Sequence, residues 1–339
     1  MATGGRLLRR NITTLVVILA LLIALILIVK GIRTAISPVN EHGDENYIYF
    51  RVNDGETTHS IAERLEREGL IKSDTAFITL ARVTGADKRL QAGLYRLSPT
   101  MSSNEILDIL TSGRIYTNRV TIPEGFTIEM IASRLEEAGI ADKARFLELC
   151  NKPHLFKGIP NEAKTLEGYL FPDTYEFTPD TDEEEIIGSM ITRYKVVYNE
   201  LSADYDGDLS EHQIITLASI IEKETYLDEE RPLVSSVFHN RLKNGMKLES
   251  CATILFIVNR PEGPIYLKDL KIDNHYNTYK YTGLPPGPIC SPGRSSIMSA
   301  MYPAETDYLY FVSKGDGSHY FTETFREHER YRIKKERDK

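Results

Sequence analysis

The apolar residues of the chain change their spacing several times, and the first change is the most abrupt. Residues 11–29, NITTLVVILALLIALILIV, carry no charge. A run of about 20 apolar residues is long enough to cross a bilayer as an α-helix. Arg6, Arg9 and Arg10 precede the run, whereas two basic and then several acidic residues follow it, from Glu41 onwards. This asymmetry predicts a cytoplasmic N-terminus and a chain whose bulk lies on the outer side of the membrane.

A cleaved signal peptide is the alternative interpretation of the apolar run. Its apolar core would be shorter and would end at a cleavage site of small residues. The run here is long and is followed by KGIRTAISPV, so we predict a retained anchor over residues 11–30. The expected location is the cell (inner) membrane, with a single span and a periplasmic bulk.

The polar and apolar pattern after the linker at residues 31–45 occurs twice. YIYFRV alternates like a strand, and NDGETTHSIAERLEREGLI has a turn at Gly55, a cap at Thr57 or Thr58, and helical spacing beyond them. RVTIPEGFTIEMIASRLEEAGI, at 119–140, repeats this segment at an offset of about 70 residues, and Gly55 matches Gly125.

The repeat continues downstream at a larger offset. AGLYRLSPTMSSNEIL, from Ala92, resembles DTYEFTPDTDEEEII, from Asp173, at an offset of about 80 residues. Each copy therefore reads strand, helix, helix, strand, helix, and the second has gained a loop close to TLEGYLFPD. A loop present in one copy only is a candidate functional site, and its Glu167 favours function. For the aromatic residues of this loop, packing against the next domain is an alternative of equal weight.

The C-terminal half alternates between helical and strand-like spacing, which predicts a mixed α+β domain. We expect a helix over 211–225, a second helix over 233–245 and a charged tail that is helical or frayed. Between them we expect a short strand and then a helix in MKLESCATILFIVN, a proline-stiffened loop over 276–293, a helix in SSIMSAMYPA capped by Ser291, and a hairpin that turns at Gly315-Asp316-Gly317.

Charge and composition exclude several classes of function. The net charge is −8 and there is no long basic run, which argues against a nucleic-acid partner. The three cysteines are widely spaced, so we expect buried thiols rather than a disulfide framework or a zinc site. The histidines are isolated and favour structural roles over metal binding, namely His212, His239, His275 and His319. With no phosphate-binding loop or nucleophile elbow, a polymeric or sugar-like substrate fits best.

ASIIEKET, at 218–225, places carboxylates on an apolar helix. Glu222 shares a face with Ile215, Ala218 and Ser219, whereas Glu224 lies on the other face. Because both faces are apolar, we predict a central helix. A carboxylate beside apolar neighbours loses hydration, which favours its protonated form, and a general acid needs this property. Small neighbours would leave room for a substrate.

The same glutamate has a structural alternative. A carboxylate at the end of a helix can pair with a cation, here Lys223 or Arg231. Spacing alone slightly favours this alternative. It leaves the choice between Glu222 and Glu224 open and shows no second carboxylate paired with either.

Five ordered motifs together resemble the MltG-type (YceG-like) endolytic murein transglycosylases. They are TLEGYLFPDTYEF, ASIIEKET, VFHNRLKNGMKLES, YNTYKYTGLPPGPI and DYLYFVSKGDGSHYF. The resemblance runs from the anchor to about residue 330. It implies a membrane-anchored lyase without a cofactor, which cleaves the MurNAc–GlcNAc bond inside peptidoglycan glycan strands and leaves 1,6-anhydro-MurNAc ends. It also implies a LysM-like module, which we place in the first repeat copy.

The resemblance assigns roles to individual residues. The first glutamate of the E-K-E-T motif is the family's catalytic acid, which falls on Glu222 and makes Glu224 the structural residue. As substrate-binding candidates we name Glu167, Ser219, Asn240, Asn277 and Tyr279, for which polar contacts that fix loops are the alternative. We also expect the prolines from Pro285 to Pro288 to stiffen one wall of the groove.

The chain departs from the family pattern at one place. Where the family often reads L-Q-S-D-P-T-V-x-Y, this chain has LESCATILF, with Cys251 and Ala252 in place of Asp and Pro and Phe256 in place of Tyr. We interpret the missing Asp as a supporting residue of the family. A small buried hydrophobic residue is the expected role of Cys251.

Two hypotheses of different class follow, with a common domain layout. The first is the lytic transglycosylase, with glycan strands as substrate and peptidoglycan synthases (penicillin-binding proteins) as partners; the second is a catalytically silent, membrane-tethered peptidoglycan-binding scaffold. A pyridoxal-phosphate lyase would need a cofactor-binding lysine in a cytosolic domain, and the membrane anchor argues against that location. The expected domains are a cytoplasmic N-terminus 1–10, the span 11–30, the linker 31–45, the LysM-like module 46–118, the second module 119–195, the catalytic domain 196–330 and the tail 331–339.

Overall fold

The computed structural model describes residues 4–41, 46–260 and 263–337. The chain divides into two compact units, Met1–Thr117 and Asn118–Lys339, and each is described by itself. Three antiparallel two-stranded sheets lie among the helices of the described residues, so the fold is mixed α+β, as the sequence pattern predicts.

The N-terminal apolar run forms one long helix, α1 (Gly4–Ile36). Its segment Ile18–Ile36 is long and apolar enough to cross a membrane, and none of that segment is buried in the structure. This is consistent with a membrane anchor. The helix continues beyond the predicted span into the predicted linker and ends before Pro38, which disfavours helical backbone at the residue that precedes it.

The rest of the first unit is a small α+β body. β1 pairs antiparallel with β2, and Ile48 lies opposite Leu97. Thr57 caps α2, since its hydroxyl accepts from the N–H of Ser60 at 3.2 Å. The core has large side chains with no exposed surface, such as Phe50. The elements are β1 (Ile48–Val52), α2 (Thr58–Arg67), α3 (Asp74–Val83), β2 (Gly93–Leu97) and α4 (Ser103–Ser112).

The second unit begins with the same order of elements. β3 pairs antiparallel with β4, and Asn118 lies opposite Phe177. The loop between α6 and β4 contains the TLEGYLFPD segment, called the extra loop below, and its Tyr169 and Leu170 are fully buried, so these aromatic and apolar side chains pack in the core. The elements are β3 (Asn118–Thr121), α5 (Ile128–Glu137), α6 (Lys143–Cys150), β4 (Thr174–Phe177) and α7 (Glu183–Leu201).

The remaining elements surround one buried helix. α8 (Glu211–Glu224) has ten buried residues among its fourteen, and a capping box of Ser210 and Gln213 starts it. The prediction of a central helix is confirmed. α9 and α11 pack against it, and the C-terminal hairpin and tail helix follow. The elements are α9 (Arg231–Lys243), α10 (Cys251–Ile257), α11 (Arg294–Met301), β5 (Tyr310–Ser313), β6 (His319–Thr322) and α12 (Phe325–Arg337).

Two local predictions in this half are wrong. Residues 246–250 form no strand, because the Arg241 guanidinium donates hydrogen bonds to the carbonyl oxygens of Lys247 and Leu248, at 3.2 and 2.9 Å. Ser291 does not cap α11, whose N-cap is Gly293. The backbone of Ser291 is bonded to Gly125 and Phe126 instead, so the helix begins beyond it.

Candidate active site

A cleft of about 490 Å³ opens in the second unit. The start of α5, the extra loop, the end of α8 and α10 form its walls. Glu167 and Glu224 both line it, which brings the extra loop and the ASIIEKET motif together. Enclosed pockets with a few convergent polar groups are the usual form of ligand sites, so we take this cleft as the candidate active site.

Glu224 is the last residue of α8 and lies on the cleft wall. The chain turns to extended backbone at Thr225, which leaves the carboxyl at the cleft. The Ser250 hydroxyl and the Ala252 N–H donate to it. Burial is the largest influence and raises the pKa of Glu224, although these hydrogen bonds and the charge of His319 act in the opposite direction. The negative end of the α8 dipole also disfavours the ionised form.

Glu222 has a different environment, two residues earlier. Its Oε1 accepts from Arg231 Nη2 at 3.1 Å, and its Oε2 accepts from the Gly293 N–H at 2.9 Å. Both side chains of this ion pair are 6% exposed, and Glu222 is not among the residues that line the cleft. Both oxygens of Glu222 are therefore occupied as hydrogen-bond acceptors. The ion-pair alternative from the sequence therefore describes what the structure shows.

A further carboxyl group belongs to this ion pair. Glu124 Oε2 lies 3.9 Å from Arg231 Nη2, and Asp228 contacts the same guanidinium. Burial, and then the charge of Glu222, raise the pKa of Glu124. The Glu124 carboxyl group fills the space where a Cβ at position 293 would stand, so a larger residue there would require the Glu124 side chain to move.

Glu167 is the second carboxyl group of the cleft. The Ile128 N–H, at the start of α5, lies 3.2 Å from both of its oxygens. Burial raises the pKa of Glu167 to about 8, so it is largely protonated at neutral pH. Behind it, Gly168 has a φ of +85°, and a Cβ at this position would clash with Pro288 Cβ, so the close approach requires glycine. The extra loop thus rests on the proline-rich segment.

Two of the predicted substrate-binding residues, Ser219 and Asn240, fix the backbone of neighbouring segments. Ser219 is fully buried and its hydroxyl accepts from the Ile289 N–H at 3.0 Å. The Asn240 amide donates to the carbonyl oxygens of Thr306 and Tyr308, at 2.8 and 3.0 Å. In this arrangement both side chains have the loop-fixing role that we named as the alternative.

Asn277 and Tyr279 lie in one loop but differ in access. Asn277 is fully buried, and its amide donates to the carbonyl oxygens of Leu270 and Ile272, at 3.0 and 2.9 Å. Tyr279 is half-buried and its hydroxyl is 3.1 Å from Cys251 Sγ, on the cleft wall. Of the predicted binding residues, Glu167 lines the cleft, Tyr279 touches its wall, and the other three do not line it.

The cysteines and histidines separate into structural and cleft residues. Cys150 and Cys290 are buried, but Cys251 is exposed, so the prediction of a buried thiol is wrong there; it is the first residue of α10, facing the cleft. The histidines make structural contacts: His212 bonds Tyr169 and Pro286, His239 bonds Ala300, and His319 Nδ1 lies 2.6 Å from Glu230. Among the described residues no group of three or more metal-ligating side chains lies together.

Some residues of the cleft had no role in the site predicted from the sequence. Lys223 and Arg260 line it, and Ser250 binds the Glu224 carboxyl. Lys223 has a signal, since it stands inside the E-K-E-T motif. Arg260 stands in no motif, and only the fold brings it to the cleft.

The fold and the cleft together define a mixed α+β protein with two carboxyl groups of raised pKa in one cleft. The YceG-like family model matches residues 50–334 of the chain. The chain therefore belongs to the YceG-like family, which confirms the resemblance indicated by the motifs.

Relatives and a solved structure agree with this family. The endolytic murein transglycosylase of Bacillus subtilis (strain 168) is 35% identical over 319 residues, which cover 89% of this chain and 88% of that protein. The protein of that name from Streptococcus pneumoniae serotype 2 is 30% identical, over 84% of this chain and 58% of its own length. A crystal structure of a YceG-like protein from Listeria monocytogenes has a TM-score of 0.58, with 32% identity, 85% coverage of this chain and 99% of that one.

The raised pKa of Glu167 predicts a pH-dependent stability. The folded form keeps a proton that the unfolded chain releases above its ordinary pKa of 4.5, so the free energy of unfolding falls as pH rises towards 8. We expect Glu167→Gln to reduce this fall by at most about 1.4 kcal/mol per pH unit.

Urea unfolding at several pH values measures this effect. The chain has no tryptophan, so circular dichroism is the suitable signal. Glu137→Gln, which removes an exposed carboxyl group from α5, is the matched control. Parallel curves for the wild type and Glu167→Gln would contradict the assignment.

Proposed function

We propose that this chain is a membrane-anchored endolytic lytic transglycosylase of peptidoglycan. It cleaves the bond between MurNAc and GlcNAc within glycan strands and acts in cell-wall synthesis or in the control of strand length. Family membership and the names of the relatives support the reaction class. The observation that carries the proposal is the cleft, because it holds a carboxyl group that burial keeps protonated more readily than in water.

The reaction needs one carboxyl group rather than the pair that a glycoside hydrolase commonly uses. The protonated acid donates its proton to the glycosidic oxygen as the bond from that oxygen to C1 of MurNAc breaks. The resulting carboxylate accepts the proton of the MurNAc C6 hydroxyl, whose oxygen bonds to C1. The acid is then restored, a 1,6-anhydro-MurNAc end is formed and no water is consumed.

The geometry favours Glu224 as this acid. Glu224 lines the cleft and its pKa is raised, whereas Glu222 accepts hydrogen bonds at both oxygens and lies outside the cleft lining. A proton donor must be protonated and within reach of the glycosidic oxygen. The assignment to Glu222, which the motif resemblance implies, stays a prediction, and the same experiment tests both.

Glu167 and Tyr279 are the substrate-binding residues that we propose within this cleft. A largely protonated Glu167 can donate a hydrogen bond to a sugar acetamido or hydroxyl oxygen. Tyr279 is half-buried, and the exposed part of its side chain can contact a sugar. For Ser219, Asn240 and Asn277 substrate contact stays a prediction, and their backbone contacts support a positioning role.

Two single substitutions separate the candidate acids. We expect Glu224→Gln to lower the rate of formation of 1,6-anhydro ends by at least about 100-fold, which is the usual contribution of a general acid. We expect Glu222→Gln to lower thermal stability instead, because the Arg231 charge is left buried with a weaker partner. Mass spectrometry of glycan strands after incubation with the detergent-solubilised full chain measures both.

The opposite result identifies the other glutamate. Full activity of Glu224→Gln together with a folded but inactive Glu222→Gln would assign catalysis to Glu222. If neither substitution changes the yield of 1,6-anhydro ends, the enzyme proposal fails. The scaffold alternative then requires that the wild-type chain binds strands without cutting them.

We infer a single-pass topology with a cytoplasmic N-terminus from the charges that flank α1. Arginines precede its apolar part and acidic residues follow the linker. Protease added to spheroplasts should therefore remove the chain beyond α1 and leave the N-terminal segment protected. Protection of the whole chain would contradict this orientation.

We also infer that the two strand-helix-helix-strand-helix bodies are copies of one module and that the first, residues 46–118, is LysM-like. The common order of elements and the antiparallel pairing of the two strands in each body support this inference. Loss of binding to isolated sacculi when residues 46–117 are deleted is the expected result, and unchanged binding would contradict it.

Peptidoglycan synthases are the partners that we propose. A strand-cutting enzyme anchored in the membrane would act where new strands are made. Co-purification after crosslinking tests this, and the absence of any synthase among the crosslinked proteins would count against it.

A further inference from the structure

The walls of the cleft carry less negative charge than their carboxyl groups imply. Three carboxyl groups line it. Glu129 lies 2.7 Å from the Lys143 ammonium, which balances its charge. Glu167, with a pKa of about 8, is mostly protonated at neutral pH, and burial raises the pKa of Glu224. Although the chain has a net charge of −8, an ion pair and burial thus reduce the negative charge that these three acids bring to the cleft.

Two cations line the same cleft and are only partly balanced. Within the parts of the chain that the structure describes, the Lys223 ammonium forms no ion pair, and its stem lies beside Gly125. The Arg260 guanidinium donates to the Pro264 carbonyl oxygen and lies 3.9 Å from the nearest Asp269 oxygen. At that distance Asp269 leaves other donors of the guanidinium available. The cleft therefore suits a ligand that carries negative charge.

Peptidoglycan strands carry such a charge next to one sugar only. MurNAc bears a lactyl group, whose carboxylate is free when the stem peptide is absent. When the stem peptide is present, the peptide supplies carboxylates of its own. GlcNAc has neither. A cation beside the reacting bond can therefore distinguish MurNAc from GlcNAc, which differ little in their ring hydroxyls.

We propose that Lys223 and Arg260 form a carboxylate-binding subsite of the cleft, which holds the carboxylate attached to MurNAc. Lys223 precedes Glu224 in the chain, so the subsite lies at the same end of α8 as the proposed acid. Binding there sets the register of the strand, and MurNAc rather than GlcNAc presents its C1 to the acid. The inference rests on the proposed function for the identity of the sugar polymer.

Substitution of either cation tests the subsite in the full chain in detergent. We expect Lys223→Gln and Arg260→Gln each to raise KM for glycan strands about tenfold, the effect of one charge-assisted contact, with kcat within about twofold. The dependence of KM on salt should weaken as well. Lys243→Gln, which removes an exposed charge at the end of α9, is the matched control. Lys223→Arg and Arg260→Lys keep the charge and should restore much of the binding.

Two substrates distinguish the sources of the carboxylate. Strands with stem peptides and the same strands after peptide removal by an amidase are compared. If the variants raise KM only for strands with stem peptides, the subsite binds a peptide carboxylate. If they raise KM only for strands without peptides, it binds the lactyl carboxylate. A rise with both substrates shows that it accepts either carboxylate. KM values that match Lys243→Gln on both substrates would overturn the proposal.

A binding measurement keeps this test separate from the proposed function. Calorimetric titration of the same strands into whichever glutamate variant forms no 1,6-anhydro ends, Glu224→Gln or Glu222→Gln, with and without Lys223→Gln, measures affinity without catalysis. If the wild type forms no 1,6-anhydro ends but Lys223→Gln weakens binding about tenfold, the reaction proposal fails and the subsite stands. Equal affinities with and without Lys223→Gln would contradict the subsite proposal even if the wild type is active.

Discussion

The buried ion pair between Arg231 and Glu222 is the contact on which the site depends. Both side chains are 6% exposed, so their attraction must offset the loss of hydration of two charges. Loss of one partner from a buried pair typically costs about 3–5 kcal/mol. The pair, with the Gly293 N–H, joins the end of α8, the start of α9 and the residue before α11. Glu224 follows two residues later, at a position that this contact fixes.

The two glutamates of the E-K-E-T motif thus differ by environment rather than by type. Both oxygens of Glu222 accept hydrogen bonds, one from a cation and one from an N–H, while Glu224 has burial and a helix C-terminus, which favour its protonated form. Such a difference in environment is expected where two carboxyl groups have separate roles in one site. Lys223, between them, brings a positive charge to the same cleft.

Apolar spacing predicted the elements of this fold well because local pattern and burial agree over most of the chain. α8 is apolar on both faces and is buried on both, and the hairpin turns where its glycines stand. The strand predicted before α10 is absent because Arg241 binds the carbonyl oxygens of that segment. This contact spans only six and seven residues, but it joins a polar side chain to backbone carbonyl oxygens, so the spacing of apolar residues does not indicate it.

The site was less predictable because its deciding contacts join distant parts of the chain. Spacing left Glu222 and Glu224 as alternatives. The partners that separate them include Gly293, 71 residues from Glu222, and Ser250, 26 residues from Glu224. The exposure of Cys251 has the same origin, since the cleft wall forms only when α8 and α10 come together.

The position of a bound glycan strand relative to the two glutamates tests the division of roles most directly. A crystal structure of Glu224→Gln with a MurNAc–GlcNAc oligosaccharide would give the distance from the scissile glycosidic oxygen to each side chain. We predict that this oxygen lies about 2.6–3.2 Å from the side chain at position 224, with Glu222 still bonded to Arg231. A strand whose scissile oxygen lies against Glu222, with the ion pair opened, would contradict the account.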